Sequence, residues 1–418
     1  MYKNVVDGMI FLKGISDKNL YWDYRISIGV VLYFIMSVFN ATIKTVRPDS
    51  GIVSILSILS GLVIAAGFIQ CLPSVLKRSR RILFSSYILF FVVYGISMAL
   101  ISIRGESIDL MLKGSAFLTF AWWIPLGVFV SSIYDKSVLY QVFLRASFII
   151  LTLLTLMFIY HPLPENGVAG YNMFFGFNML IPTLFHINEL YKTKKLIYLF
   201  LFLTEFLMIL VYANRGCLLP IVFIFLYKSL WENKKRTKKL LPIILILLIV
   251  IYFLGNILIE TIASILEGYG LSSRTLWYLL SGDISNATGR DEIWNNSIKM
   301  ISERPILGWG LGGEYYQLAA YEGAIEIDNS FTPHNGVLQN WVNFGVLIGS
   351  VVSIMIIRPY LNMRHIKDKY YHDLVLIFGS AIVAMFYSAS GFFTNPMAAM
   401  FLYLSYLYSK RKTNFRIV

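Results

Sequence analysis

Charge is scarce in this chain. Only 14% of its 418 residues are charged, where a soluble globular protein carries about 25%, so an ordinary water-soluble domain is excluded. Cysteine is scarcer still. Cys71 and Cys217 both fall in or beside apolar stretches, which leaves no disulfide framework and no cysteine metal spacing. No HExxH, DxD or Cys/His cluster stands in the most polar stretch, 261–335, so neither a metal site nor a cofactor is expected. Internal repeats and low-complexity tracts are absent as well. The opening MYKNVVDGMIFLKGISDKNLYWDYR mixes charge with apolar residues and lacks a continuous apolar core, so no cleavable signal peptide is expected.

What is abundant is apolar. Hydrophobic residues make up 57% of the chain and its mean hydropathy is +0.67. Runs of about 20 apolar residues, each able to cross a bilayer, recur at 26–43, 51–74, 82–102, 112–133, 138–160, 169–188, 196–213, 217–230, 240–260, 336–357, 372–391 and 394–409. The reading is an all-α polytopic membrane protein of about 12 transmembrane helices. The +13 net charge does not indicate nucleic-acid binding. Its basic clusters, KRSRR (77–81), KTKK (192–195), KSLWENKKRTKK (228–239), RPYLNMRHIKDK (358–369) and KRKTNFR (410–416), fall in alternate connecting segments. By the positive-inside rule these are cytoplasmic, with both termini, and they are suited to touch anionic lipid. The chain then divides into helices over 1–260, a large loop on the outer face over 261–335, and helices with a cytoplasmic tail over 336–418. That loop is far longer than its neighbours and has helical periodicity, so it is expected to fold and to carry function.

The outer face collects the candidates for chemistry. Arg215, in YANRGCLL, sits in a tight turn between two spans, where an unpaired arginine is costly; the plainer alternative is snorkelling to headgroups. Arg290, in NATGRDEIW, falls in the first turn of a helix capped by Thr288 and ending near Arg304-Pro305, with Ile293, Trp294, Ile298 and Ile301 on or near one face. A cation there opposes the helix dipole unless an anion such as phosphate also sits at that N-terminus; the alternative is a surface arginine bridging to a carboxylate. His334, in TPHNGVLQ, follows Pro333 where the loop re-enters the membrane, beside a helix N-terminus that favours neutral imidazole. It could take a proton from a hydroxyl, or simply cap the helix. GWGLGG (308–313) is no P-loop, since no GK[ST] follows; a tight loop is expected. Glu205 lies mid-span in LFLTEFLMIL and needs a partner or a cavity. Arg274 and Asn335 are further candidates, and His161 reads as a loop residue.

Taken together, NRG in a short turn, then GRDEIW…ISERPILGWGLGG in a large loop, then PHNGVLQNWVNFGVLIG resemble the O-antigen polymerase and O-antigen ligase superfamily. The resemblance is sharp over about 210–350 and one of topology and length elsewhere. It implies a GT-C-like, largely helical membrane glycosyltransferase, metal-independent and needing no nucleotide, whose donor is a glycan on undecaprenyl diphosphate at the outer leaflet. It carries catalytic roles over to Arg215, Arg290 and His334, the two arginines holding the diphosphate. The ligase branch follows His-Asn by nine residues, a glycine, and a small residue or tyrosine three further on. Here Gly345 agrees and Ile348 departs. The departure favours a polymerase that joins lipid-linked repeat units, with a possible chain-length regulator as partner. The alternative is a ligase with lipid A–core as acceptor, and a third reading is a flippase of lipid-linked oligosaccharide. The expected location is the bacterial inner membrane, with the active site on its periplasmic or extracellular face.

Overall fold

The computed structural model describes residues 17–46, 51–160, 173–212, 215–232, 260–261, 264–265, 268, 290–324, 326–328, 331–387 and 391–414. All its regular structure is helical: α1 Lys18–Val46, α2 Gly51–Ile103, α3 Asp109–Ser132, α4 Lys136–Tyr160, α5 Met173–Thr193, α6 Leu196–Tyr212, α7 Leu218–Leu226, α8 Arg290–Glu303, α9 Gly313–Tyr321, α10 Gly336–Asn362, α11 Lys369–Ile382 and α12 Pro396–Asn414, with short 3₁₀ and π segments at several ends.

Six of the described helices are long and apolar enough to cross a membrane, so this is a membrane protein. The sequence leads one to expect about twelve crossings. Two of those fall together in α2, four fall on shorter or more polar helices (α5, α6, α7 and α12), and the 240–260 span, its last residue apart, lies outside the described residues. At about 1.5 Å per residue, α2 would be more than twice the thickness of a hydrocarbon core if straight. It is not straight: Ser79 leaves helical geometry (φ −134°, ψ 24°). The arm before it packs on α1, where Gly67 and Gly29 bring the two backbones together and Gln70 accepts from Arg25. The arm after it packs on α3, through Tyr94 with Thr119 (2.8 Å) and Ser79 with Ser131 (3.3 Å).

Buried ion pairs mark one end of the bundle. Asp23 at the start of α1 pairs with Arg78 and accepts the backbone N–H groups of Tyr134 and Asp135. Nearby, Asp373 of α11 pairs with Lys192 (3.2 Å) and Lys228 (3.0 Å). The clusters KRSRR, KTKK and KSLWENKKRTKK therefore begin or end at the same end of the fold. Helices α8 and α9 lie at the opposite end, where Arg104 donates to the Trp309 carbonyl (3.0 Å).

The expected span 336–357 contains a break. Gly345 adopts φ 74°, ψ 170°, and the arms on either side fold back on each other: Asn340 bonds Ser353 and Trp341 bonds Ser350, each at 3.0 Å. In a continuous helix, residues 13 apart would be about 20 Å apart. The cause is compositional. The first arm carries Gln339, Asn340 and Asn343, all buried, and these amides need polar partners that lipid cannot supply.

Candidate active site

The site is built around the broken helix α10. At the Gly345 break the carbonyls of Val342 and Asn343 are released from the helix ladder. The loop GWGLGG takes them: Trp309 N–H donates to Val342 (2.8 Å) and Gly310 N–H to Asn343 (3.0 Å), while Val346 N–H donates to Pro305 (2.7 Å). Gly308, Gly310 and Gly312 all have positive φ, and a side chain on Gly308 would strike the Asn343 backbone at 2.6 Å. The glycines serve close backbone approach, as expected of a tight loop, and the partner they approach is the chain itself.

His334 lies immediately before α10. Its φ is +50°, unusual for a residue other than glycine. Asn335 caps the helix, its Oδ1 accepting from Val337 N–H (3.0 Å) and Leu338 N–H (3.1 Å). The capping alternative weighed for His334 thus belongs to Asn335, and the imidazole is half-buried without that duty. Arg290 opens α8, as expected, in a first turn that also holds Asp291 and Glu292. Its guanidinium lies 5.5 Å from the ring of Tyr387. Trp294, one turn on, donates to the Pro333 carbonyl (3.0 Å) and packs edge-on against Tyr387. This tie holds α8 against the segment bearing His334. Burial, and then the charge of Arg290, hold the His334 pKa below the usual 6.5, so its imidazole is neutral near pH 7 and able to accept a proton. The buried stripe of α8 runs through Ser297 and Met300; Ile298, expected on that face, is 56% exposed.

The structure brings Arg290 and His334 together. It describes Arg215 through its backbone, which opens the 3₁₀ turn Arg215–Cys217. That turn packs on α5 and α7, and α7 packs on residues 383–386, which lead directly to Tyr387. Thr288, Arg274 and His161 lie outside the described residues. Glu205 has the partner it needs: its Oε1 is 2.6 Å from Nδ1 of His186, both side chains fully buried in the core, while Nε2 of His186 meets Ser147 at 3.1 Å. Glu205 is therefore part of the bundle interior and lines no described cavity.

Beside His334 lies a cavity of about 250 Å³ that the sequence reading did not anticipate. Thr332, Glu314, Gln339, Asn340, Asn343 and Phe392 line it. Glu314 is 1% exposed and accepts from Gln339 Nε2 (3.2 Å); burial pushes its carboxyl above the usual range. The signal was present in QNWVN: three amides inside an apolar segment are too costly to face lipid. Among the described residues, Glu232, His372 and Asp373 bring metal-ligand types within 4.8 Å of one another. Lys228, however, bonds both carboxylates (2.7 and 3.0 Å), so a cation is already supplied.

Residues 198–353 match the family described as O-antigen ligase, a stretch that holds Arg215, Arg290, His334 and the Gly345 break. No curated protein and no solved structure matches the chain. That matched segment is similar to the O-antigen ligase family and supports the resemblance to the O-antigen polymerase and ligase superfamily of glycosyltransferase-like membrane enzymes.

Proposed function

We propose that this protein is a polysaccharide polymerase of the bacterial inner membrane, building O-antigen or capsule. It transfers a growing glycan from undecaprenyl diphosphate to the terminal sugar of another lipid-linked repeat unit. The observation that carries this reading is the pairing of a cation with a neutral imidazole: Arg290 and His334, held together by Trp294 and Tyr387, at the end of the bundle opposite the basic clusters. In the reaction the acceptor hydroxyl oxygen attacks the anomeric carbon as the bond to the diphosphate oxygen breaks, with inversion. His334 takes the hydroxyl proton, and the lipid diphosphate leaves with the electron pair of the broken bond. Arg290 and Arg215 meet the negative charge that develops on it, each guanidinium offering a planar fork of donors. The sugar–diphosphate bond supplies the driving force. The ion-pair end is then cytoplasmic and the His334 end periplasmic or extracellular, in keeping with the GT-C-like, twelve-span reading.

A ligase with lipid A–core as acceptor is favoured by the description of the matched family and by Gly345 at its expected position. Complementation of a strain lacking the gene separates the two. With wild type, a polymerase restores a ladder of glycan lengths, and Arg215→Ala, Arg290→Ala or His334→Ala at matched expression leaves single-repeat products. Accumulation of lipid-linked polymer in the null strain would instead mark a ligase. Wild-type ladders from all three variants would refute the site.

A further inference from the structure

The cavity beside His334 has lining chemistry of its own. Among the described residues that line it there is no arginine or lysine, so it does not suit a diphosphate. Two of its buried acceptors, Glu314 Oε2 and Asn343 Oδ1, have no partner at full hydrogen-bonding geometry among the described residues, although the Asn343 amide and the backbone N–H groups of Gly312 and Glu314 lie near enough to ease the burial of the Glu314 carboxyl. Glu314 is 1% exposed and Asn343 2% exposed. Leaving such atoms unpaired costs about 1–3 kcal/mol each, so a ligand that donates to both gains more here than in water. Gln339 and Asn340 add amides with both donor and acceptor capacity, and Phe392 supplies an apolar wall. At about 30 Å³ per water in the liquid, 250 Å³ corresponds to about eight waters, the scale of one sugar ring and too small for an oligosaccharide. Thr332, a buried residue of its lining, is two residues from His334, a reach of at most about 7 Å of extended chain.

We infer that this cavity is a subsite for a single uncharged sugar ring, its hydroxyls donating to Glu314 and Asn343 and its apolar face lying on Phe392. This rests on the glycan-transfer reading above and adds to it the residues that hold the ring next to His334. Glu314 and Asn343 act as binding and positioning residues; the proton acceptor remains His334.

The test uses full-length protein in nanodiscs. Its probes are the methyl glycosides of glucose, galactose and N-acetylglucosamine, followed by saturation-transfer NMR, and inorganic pyrophosphate as a probe of the cation site. Wild type is expected to bind at least one glycoside. Glu314→Gln and Asn343→Leu should each weaken it about ten-fold, the scale of one hydrogen bond to a buried or charged group, with pyrophosphate affinity unchanged. Thermal melts confirm that the variants fold, and Asn343→Leu decides if Glu314→Gln does not. Three results overturn the inference: no glycoside binds wild type, so that the cavity holds water only; glycoside affinity is equal in wild type and variants; or pyrophosphate affinity falls in parallel. If glycosides bind as expected but Arg290→Gln binds pyrophosphate as wild type does, the diphosphate site fails and the sugar subsite stands. Lipid-linked repeat units from the null strain then identify the source of the ring. Extension of the bound glycoside marks an acceptor subsite, and competition without extension a donor subsite.

Discussion

Gly345→Ala should detach the loop 304–312 from α10. At φ 74°, ψ 170° the backbone occupies a region essentially closed to residues with a Cβ, at a cost of about 1–3 kcal/mol. The added carbon would also lie 2.2 Å from the Ile306 carbonyl oxygen and 2.7 Å from that of Pro305. Neither is the tip of a flexible side chain, so the loop itself must move. Three backbone bonds cross this junction, Trp309 to Val342, Gly310 to Asn343 and Val346 to Pro305, and each buried group left unpaired costs about 1–3 kcal/mol. Losing all three amounts to about 3–9 kcal/mol before strain is added, beyond the 0.5–3 kcal/mol or so of most point mutations. Gly105→Ala is the control. Its φ is +75°, but nothing lies within 4 Å of the added carbon, so it should show about 1–2 kcal/mol of strain alone. Limited proteolysis across 304–312, and thermal inactivation in detergent, should separate the two variants clearly. If Gly345→Ala resists protease and heat as well as Gly105→Ala does, the break in α10 is not held by the loop.

Two further outcomes follow from the charges. Burial and Arg290 together lower the His334 pKa; if His334 is the base, activity falls as pH drops through that lowered value. Arg290→Gln removes the charge and raises the pKa toward 6.5, so the acid limb of the pH–rate profile should move to higher pH, while Arg290→Lys should leave it near its wild-type position. An unmoved limb in Arg290→Gln would show that the titrating group is not His334. At the other end, Asp23→Ala leaves the buried Arg78 without its carboxylate and strips two backbone N–H groups of their acceptor. A loss of about 3–5 kcal/mol is expected, read as a lowered midpoint of thermal unfolding in detergent.

Much of this architecture could be read from periodicity and charge. Ser79 breaks α2 between the two apolar runs that the sequence separates at KRSRR, because a chain longer than two bilayer thicknesses must turn. Helix α8 begins and ends at the residues its flanking signals indicate. The break at Gly345 was not legible, since hydropathy averages a window and reads GVLQNWVNFGVLIG as one apolar run. The polar cavity was hidden for the same reason: it forms only when the two arms of α10 close and the glycine loop brings Glu314 beneath Gln339. Contacts so distant in sequence leave no local pattern. What could have flagged them is cost, because three amides in an apolar run, and a carboxylate buried against them, require either one another or a ligand.

Cost also decides between two histidine environments, one buried and one half-buried. Ser147, His186 and Glu205 form a chain of hydrogen bonds with the order of residue types used in nucleophilic catalysis. On geometry alone that chain looks more like a reaction centre than His334 does. Yet both His186 and Glu205 are fully buried, none of the three residues lines the described cavity, and a substrate would have to part the core helices α4, α5 and α6 to reach them. The contacts of that chain pair both ring nitrogens of His186 and one carboxylate oxygen of Glu205, groups that lipid would leave unpaired, while Oε2 of Glu205 has no partner among the described residues. His334 has the opposite profile: half-exposed, strained in φ, beside a cation and next to a cavity with unpaired acceptors. Backbone strain and unsatisfied polar atoms persist where something other than stability maintains them; His334 combines a strained φ with a nearby cavity whose wall carries the unpaired atoms of Glu314 and Asn343, whereas the unpaired Oε2 of Glu205 is enclosed in the core.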